Sequence, residues 1–303
     1  MKTQPSPVKI TRFNSVPLQN DGSLLEVYVV GHGAALSQTN TSFIAIVGGV
    51  SLLIDCGYHV PASLARFGIN PAWISDFFIT HAHSDHVGGI AYPLVSNRYT
   101  RSPLSNTKST LWAPRTWAEA LWNDTLSGDL SSHDSSQVLK DEGGEDLKAL
   151  PSNRWYDILL PKEATTFAGR EIYRFEKGGL KLEAFRTMHT PAKASSWQES
   201  AWSTGVLIND SIWISGDTRF DKALIESYAP RSKVMIHDVS RYSQDPVHAS
   251  FDSLNNLRVD SGKSKMFLSH LQNGFDDTET EKMAKTKGFW GLALTGTKFS
   301  VVL

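Results

Sequence analysis

The stretch THAHSDHVGG, residues 80–89, constrains this chain more than any other. Three of the ten histidines and one aspartate fall between His81 and His86, and a glycine pair follows. DFFIT, residues 76–80, runs straight into it and reads as a buried strand. A polar cluster at the end of a buried strand is either a solvated loop or half of a metal site. The rest of the chain decides between the two.

Strand signals recur on both sides. LLEVYVV (24–30), SFIAIV (42–47) and SLLID (51–55) predict strands in hairpin-like succession. PASLARFG (61–68) predicts a short helix, with Pro near its start and Gly at its end. SDHVGGIAYPLV predicts a helix that begins at the Ser84/Asp85 end. Later, EIYRFE (171–176), LKLEAFRTM (180–188), STGVLI (203–208), SIWISG (211–216), KVMIHD (233–238), KMFLSH (265–270) and KFSVVL (298–303) predict strands. HASFDSLNNLRV (248–259) and TETEKMAKTKG (278–288) carry helical spacing. Residues 97–160 differ, with Ser, Asn and Asp clusters, the run DEGGED, and four of the nine tryptophans. They read as an insertion in one domain spanning 1–303, with STLWAP as a strand and RTWAEALWND as a helix. Trp112, Trp117, Trp122 and Trp155 either form a lid or subunit contact or pack inward.

Metal-type ligands stand at the ends of the buried strands. DFFIT leads to His81, LEAFRTM to His189, SIWISG to Asp217, KVMI to His237 and Asp238, and KMFLS to His270. Strands lying side by side would bring these residues to one rim of a sheet, where such folds place chemistry. Imidazole and carboxylate together suit Zn²⁺, with Mn²⁺ or Fe²⁺ as alternatives. His81, His83, Asp85, His86, His189, Asp217 and His270 are more than one ion needs. They are enough for two, with Asp217 between them.

His81-Ala-His83-Ser-Asp85-His86 followed by Gly88-Gly89 resembles the HxHxDH signature of the metallo-β-lactamase-fold hydrolases. Downstream His189, Asp217 in SGDT, His270 in SHLQ and the entry NTSFIAI…SLLIDCG extend the match over most of the chain outside 97–160. The resemblance implies an α+β fold, an αββα sandwich of two mostly antiparallel sheets flanked by helices. It implies two divalent ions: His81, His83 and His189 on one, Asp85, His86 and His270 on the other, and Asp217 bridging opposite a hydroxide. Asp85 would also orient that hydroxide, and Asp55 would buttress the metal loop.

Two residues resemble one branch of that superfamily. Asp238, ten residues before His248 in PVHASFDSL, is similar to the acid-plus-histidine pair of the phosphodiesterases. That branch includes ribonuclease Z, the carbon-phosphorus lyase cyclic phosphodiesterase and phage anti-Pycsar cyclic-nucleotide phosphodiesterases. The resemblance implies that His248 protonates the leaving oxygen and that Asp238 holds it in place. On its residues alone, a His248 that faces solvent beside a helix cap is the lesser alternative. His237 reads as a supporting or a surface residue. His32 reads as structural or substrate-facing, and His59 and His133 as surface residues. Thioester or lactone hydrolysis on the same fold is the alternative, and only His248 and Asp238 separate the two. A homodimer is expected from the same resemblance.

RNA 3′-processing, as on precursor transfer RNA, is disfavoured. Ribonuclease Z carries a long arm between the equivalents of His189 and Asp217, whereas here only residues 190–216 lie between them. The 30 Lys and Arg against 31 Asp and Glu give a net charge of −1, with no basic stripe for long nucleic acid. A small phosphodiester such as a cyclic nucleotide fits better, and the insertion at 97–160 and the loop at 190–202, with Trp197 and Trp202, could stack its base. The single cysteine, Cys56, follows an apolar strand and reads as a buried structural thiol. The start lacks an apolar signal segment and no run reaches the ~20 apolar residues of a span, so a cytoplasmic location is expected.

Overall fold

The computed structural model describes residues 8–133, 152–273 and 277–303. The strands in chain order are β1 (Val8–Arg12), β2 (Leu24–Gly31), β3 (Ser42–Val47), β4 (Val50–Ile54), β5 (Asp76–Phe78), β6 (Ser109–Trp112), β7 (Tyr156–Leu159), β8 (Glu163–Phe167), β9 (Arg170–Lys177), β10 (Leu180–Arg186), β11 (Thr204–Ile208), β12 (Ile212–Ile214), β13 (Val234–Asp238), β14 (Met266–Ser269), β15 (Gly291–Leu292) and β16 (Thr297–Val302). They form two eight-stranded sheets, β1-β16-β2-β3-β4-β5-β6-β7 and β15-β14-β13-β12-β11-β10-β9-β8. The expected α+β sandwich is therefore present. The sheets are mixed, each with four antiparallel and three parallel pairings among the described residues.

Alternation on doubly apolar strands builds the layers. In β2 and β3, Val27, Val29, Phe43 and Ala45 face the other sheet, while Tyr28, Val30, Ile44 and Ile46 face the helices outside. In the second sheet Val206, Ile212, Ile214, Val234 and Ile236 point inward, and Leu207, Trp213 and Met235 point out toward Leu224, Ile225 and Leu254. Because both faces are covered, the strands read as continuous apolar runs. No helix among the described residues is long and apolar enough to cross a membrane.

The stretch expected as an insertion contributes directly to the first sheet. β6 and β7 pair in parallel with each other, and β6 with β5. Trp112 and Trp155 are fully buried and Trp117 nearly so, so these tryptophans pack inward. The run DEGGED lies outside the described residues. The helix expected from Ser84 stops at Val87 and a second one starts at Ala91, because Gly88-Gly89 makes a turn there. A Cβ on Gly89 would overlap the Gly57 carbonyl, so only glycine fits. The expected helix at 248–259 shrinks to Phe251–Asn255, with Ser250 as its cap.

Chain direction places the ligands. β12, β13 and β14 run parallel, and β10 runs the same way because two antiparallel steps separate it from β12. Their C-terminal ends therefore share one rim, and β4 and β5 do the same in the first sheet. Behind β10 a buried carboxylate fixes the second sheet. Glu183 accepts from Arg174 Nε (2.8 Å), Arg231 Nη1 (2.8 Å) and the Tyr228 hydroxyl (2.9 Å).

Burial opposes the ionisation of Glu183, but hydrogen bonds from Arg231, Arg174 and Tyr228 hold its carboxyl below the usual glutamate range. Its stabilising contribution is then present above the unfolded value of about 4.3 and is lost as pH falls through the lower folded value. Glu183→Gln is expected to cost about 1–3 kcal/mol at neutral pH. Urea unfolding should show the gap to the native protein shrinking on acidification; a pH-independent gap would contradict the assignment.

Candidate metal centre

β5 hands the chain to Ile79 and Thr80 and then to His81. Thr80 donates both its backbone N–H (2.7 Å) and its hydroxyl (2.8 Å) to Asp55, at the end of β4. Asp55 also bonds His86 Nδ1 at 2.7 Å. The one-turn helix Ser84–Val87 is locked to the next residue, Cys56, by two backbone bonds, Cys56 N–H to His86 O (2.6 Å) and Gly89 N–H to Cys56 O (2.8 Å). Cys56 is fully buried, and burial pushes its thiol up, as expected of a structural cysteine.

All seven expected ligands converge. His81, His83 and His189 form one group, and Asp85, His86, Asp217 and His270 another, each with ligand atoms within 4.8 Å of one another. Asp217 Oδ2 stands between them. It lies 3.3 Å from His86 Nε2, 3.4 Å from His270 Nε2, and 3.8 Å from both His81 Nε2 and His189 Nε2. His83 Nδ1 is 3.2 Å from His189 Nε2. Donors around one tetrahedral ion with bonds of about 2.1 Å stand about 3.4 Å apart, so these spacings fit. Among the described residues the buried Nε2 atoms of His81 and His86 have no hydrogen-bond partner. Two buried nitrogens left orphaned around one carboxylate are what a cation would satisfy.

The outer nitrogens of His81, His86, His189 and His270 are engaged. His81 Nδ1 meets Thr80 Oγ1 (3.0 Å), His189 Nδ1 meets Val247 O (2.9 Å), and His270 Nδ1 meets Thr41 Oγ1 (3.2 Å). These partners set ring orientation and tautomer, so the inner nitrogens face the centre. Thr80, Thr41 and Val247 were not picked from the sequence; only the position of Thr80, directly before His81, gave a hint. Asp55 and His270 both take left-handed backbone (φ 61° and 60°), a conformation that non-glycine residues adopt at a cost and retain at functional sites.

Electrostatics separates the roles. Burial holds His81 and His83 below the usual histidine range and pushes His270 down to about 4, which favours the neutral form that a metal needs from an imidazole. Burial works against the charge on His86, yet Asp217 and Asp55 raise it well above that range. Burial likewise opposes Asp217, and His270 and His86 hold it well below the carboxylate range. The same carboxylates that raise His86 would attract a divalent cation.

Asp238 is buried at the end of β13. Its Oδ2 lies 2.9 Å from His248 Nδ1 and its Oδ1 2.9 Å from His237 Nδ1. His237 is buried, so its surface reading does not hold. The His248 ring packs 4.9 Å from His189 and 5.1 Å from His270, so the reading in which it faces solvent beside a cap also fails. Burial opposes its charge, but the Asp238 hydrogen bond and the fields of Asp217, Asp238 and Asp245 raise it to about 9. The cluster opens into a cavity of about 390 Å³.

Trp197 and Trp202 do not line that cavity. They hold Arg186 between them, its guanidinium 5.5 and 4.7 Å from their ring centres, and Trp117 stacks on Trp202 at 5.3 Å. The expectation that they stack a base is not met, because neither ring lines the cavity at the His/Asp cluster and both pack against Arg186. His32 bonds Thr295 (2.7 Å) and lies 3.5 Å from Asp277, lining a separate cavity of about 780 Å³. His59 is half-buried against Tyr58, and exposed His133 pairs with Asp129.

Asp55→Ala is expected to weaken metal binding by about 10- to 100-fold through loss of the Thr80 and His86 supports. Competition with a chelating dye measures this, and unchanged affinity would contradict the buttressing role.

A family model described as Anti-Pycsar protein Apyc1 matches residues 25–299. The chain is 29% identical over 264 residues to an anti-Pycsar protein of Bacillus phage BSP38, covering 85% of this chain and 94% of that one. It is 30% identical over 266 residues to an anti-Pycsar protein of Paenibacillus xerothermodurans, covering 86% and 92%. Among solved structures, the metallo-β-lactamase-fold protein YhfI of Bacillus subtilis matches with a TM-score of 0.62 at 18% identity, covering 91% of this chain and 99% of that one. The chain thus has the metallo-β-lactamase fold and belongs to the anti-Pycsar Apyc1 family, as a metal-dependent hydrolase of the phosphodiesterase kind.

Proposed function

We propose that the chain is a dinuclear phosphodiesterase for small phosphodiesters such as cyclic nucleotides, with His248 as the acid for the leaving oxygen. The observation that carries this reading is the Asp238–His248 pair (2.9 Å) set against the cluster around Asp217. Its resemblance to the cyclic-nucleotide phosphodiesterase branch supports the substrate class. His81, His83 and His189 would hold one ion, Asp85, His86 and His270 the other, and Asp217 would bridge them. The mixed imidazole and carboxylate set favours Zn²⁺, with Mn²⁺ as the alternative. Once bound, the ions supply Lewis acidity and a nucleophilic water at neutral pH. We include a homodimer in this reading by analogy of fold alone.

The chain's own groups do the rest. Asp85, with its carboxylate at the cavity floor, accepts a hydrogen bond from the attacking water and aims it. Asp238 accepts the Nδ1–H of His248, which leaves the other ring nitrogen for the substrate. Against burial, the Asp238 hydrogen bond raises His248 above the usual histidine range, which favours the protonated form that the acid role needs. Its charge offsets the phosphate oxygens, and its proton passes to the alkoxide as the P–O bond breaks. The ring is partly solvent-exposed, so it can be reprotonated from water.

Hydrolysis of 3′,5′-cyclic nucleotides and of bis(p-nitrophenyl) phosphate by metal-loaded protein tests this. His248→Ala should lower kcat on cyclic nucleotides by about 10²- to 10⁴-fold with metal content unchanged. The loss on bis(p-nitrophenyl) phosphate should be smaller, because nitrophenolate leaves without an acid. Equal losses on both would remove His248 from the acid role. Absence of phosphodiester turnover from metal-loaded protein would favour thioester or lactone hydrolysis.

A further inference from the structure

We propose that Tyr242 and Leu36 form a clamp for the planar base of a nucleotide at the mouth of the metal cavity. The inference rests on the phosphodiesterase reading and goes beyond it, because it concerns recognition rather than chemistry. The cavity has two unlike ends. Its floor is His83, Asp85, His189, Asp217, His248 and His270, and its walls include Leu36, Tyr242, Gln272 and Asn273. At about 390 Å³ it is within the usual range for a small-molecule site.

The two apolar walls are displayed on a fixed backbone. Leu36 is 84% exposed and Tyr242 58%. Single exposed apolar residues are ordinary, but these two converge on one cavity above a buried polar floor. The Leu36 turn is pinned on both sides: the Tyr58 hydroxyl donates to Ala35 O, and the Asn273 amide donates to Leu36 O. On the other wall, Tyr242 N–H donates to Ser240 Oγ (3.2 Å). Arg241 lies 5.6 Å from the Tyr242 ring centre and donates to Asn273 O (3.3 Å).

The loop that carries Tyr242 also carries His248. It is closed by Ser240 N–H to Ala249 O (2.8 Å) and Phe251 N–H to Ser240 O (3.0 Å). Asp245 caps it inside, accepting from the N–H groups of Val247 and His248, each at 2.9 Å. A phosphate at His248 therefore shares its cavity with an aromatic ring carried on the same closed loop. A ligand with an anionic end and a flat apolar end meets both requirements, and a nucleotide is such a ligand.

Equilibrium binding of adenosine 5′-monophosphate and of ribose 5-phosphate to the metal-loaded protein tests the clamp without turnover. The native protein should bind the nucleotide at least about tenfold more tightly than the base-free sugar phosphate. Tyr242→Ala should weaken nucleotide binding by about 10- to 100-fold, as expected for loss of one stacked base, with ribose 5-phosphate within about twofold. Tyr242→Phe should keep native affinity, and Leu36→Ala should show a smaller loss confined to the nucleotide. Equal weakening of both probes, no effect of Tyr242→Ala, or no nucleotide binding by the native protein would overturn the proposal. Cleavage of bis(p-nitrophenyl) phosphate separates the two readings. Cleavage without base-dependent binding removes the clamp alone, and base-dependent binding without cleavage removes the catalytic reading alone.

Discussion

Asp217 is the residue around which this molecule is organised. One of its oxygens lies 3.3–3.8 Å from the inner nitrogens of His81, His86, His189 and His270, and the side chain is buried. A buried carboxylate is costly unless positive charge faces it. Here four imidazole nitrogens surround it, at spacings a bound cation would fit. Gly216, just before Asp217, has φ 60°, and a Cβ there would overlap the Thr204 carbonyl. The Asp217 carbonyl in turn accepts from Ser203 Oγ (3.2 Å) and Thr187 Oγ1 (3.3 Å). The carboxylate is thus held by its backbone and left open for electrostatic work.

The same positioning logic runs through the segment from His189 to Asp217. Arg219 donates to Pro191 O (2.7 Å) and Ala194 O (2.6 Å) at the start of that loop. Arg186 donates to Ser200, Ala201 and Ser203 carbonyls at its end, while gripped by Trp197 and Trp202. Trp117 reaches from that stack to Ile79 O (3.2 Å), two residues before His81. Two arginines and three tryptophans therefore make a braced wall beside the metal centre.

His81, His189, Asp217 and His270 stood out in the sequence because each ends an apolar run that reads as a buried strand, and chain direction then carries these ends to one rim. His83, Asp85 and His86 came with the HxHxDH resemblance, and the pairing of Asp238 with His248 came from the resemblance to the phosphodiesterase branch. What escaped reading has physical causes. β1 and β8 are edge strands with polar, half-exposed faces, and β15 has only two residues, so none carries an apolar signature. β7 and the helix Lys222–Tyr228 were missed as well. The tryptophans misled because a large aromatic side chain looks the same whether it meets a ligand or an arginine. Tyr242 gave no signal, since its importance comes only from sharing a loop with His248.

The most direct test of the central claim is the metal content of the purified protein, measured per chain by mass spectrometry of the dissolved ions, beside Asp217→Asn. The account predicts close to two divalent ions per native chain and a clear loss on removing the bridging charge. A native chain that holds one ion or none when metal is supplied, or an Asp217→Asn chain that still holds two with unchanged affinity, would contradict it.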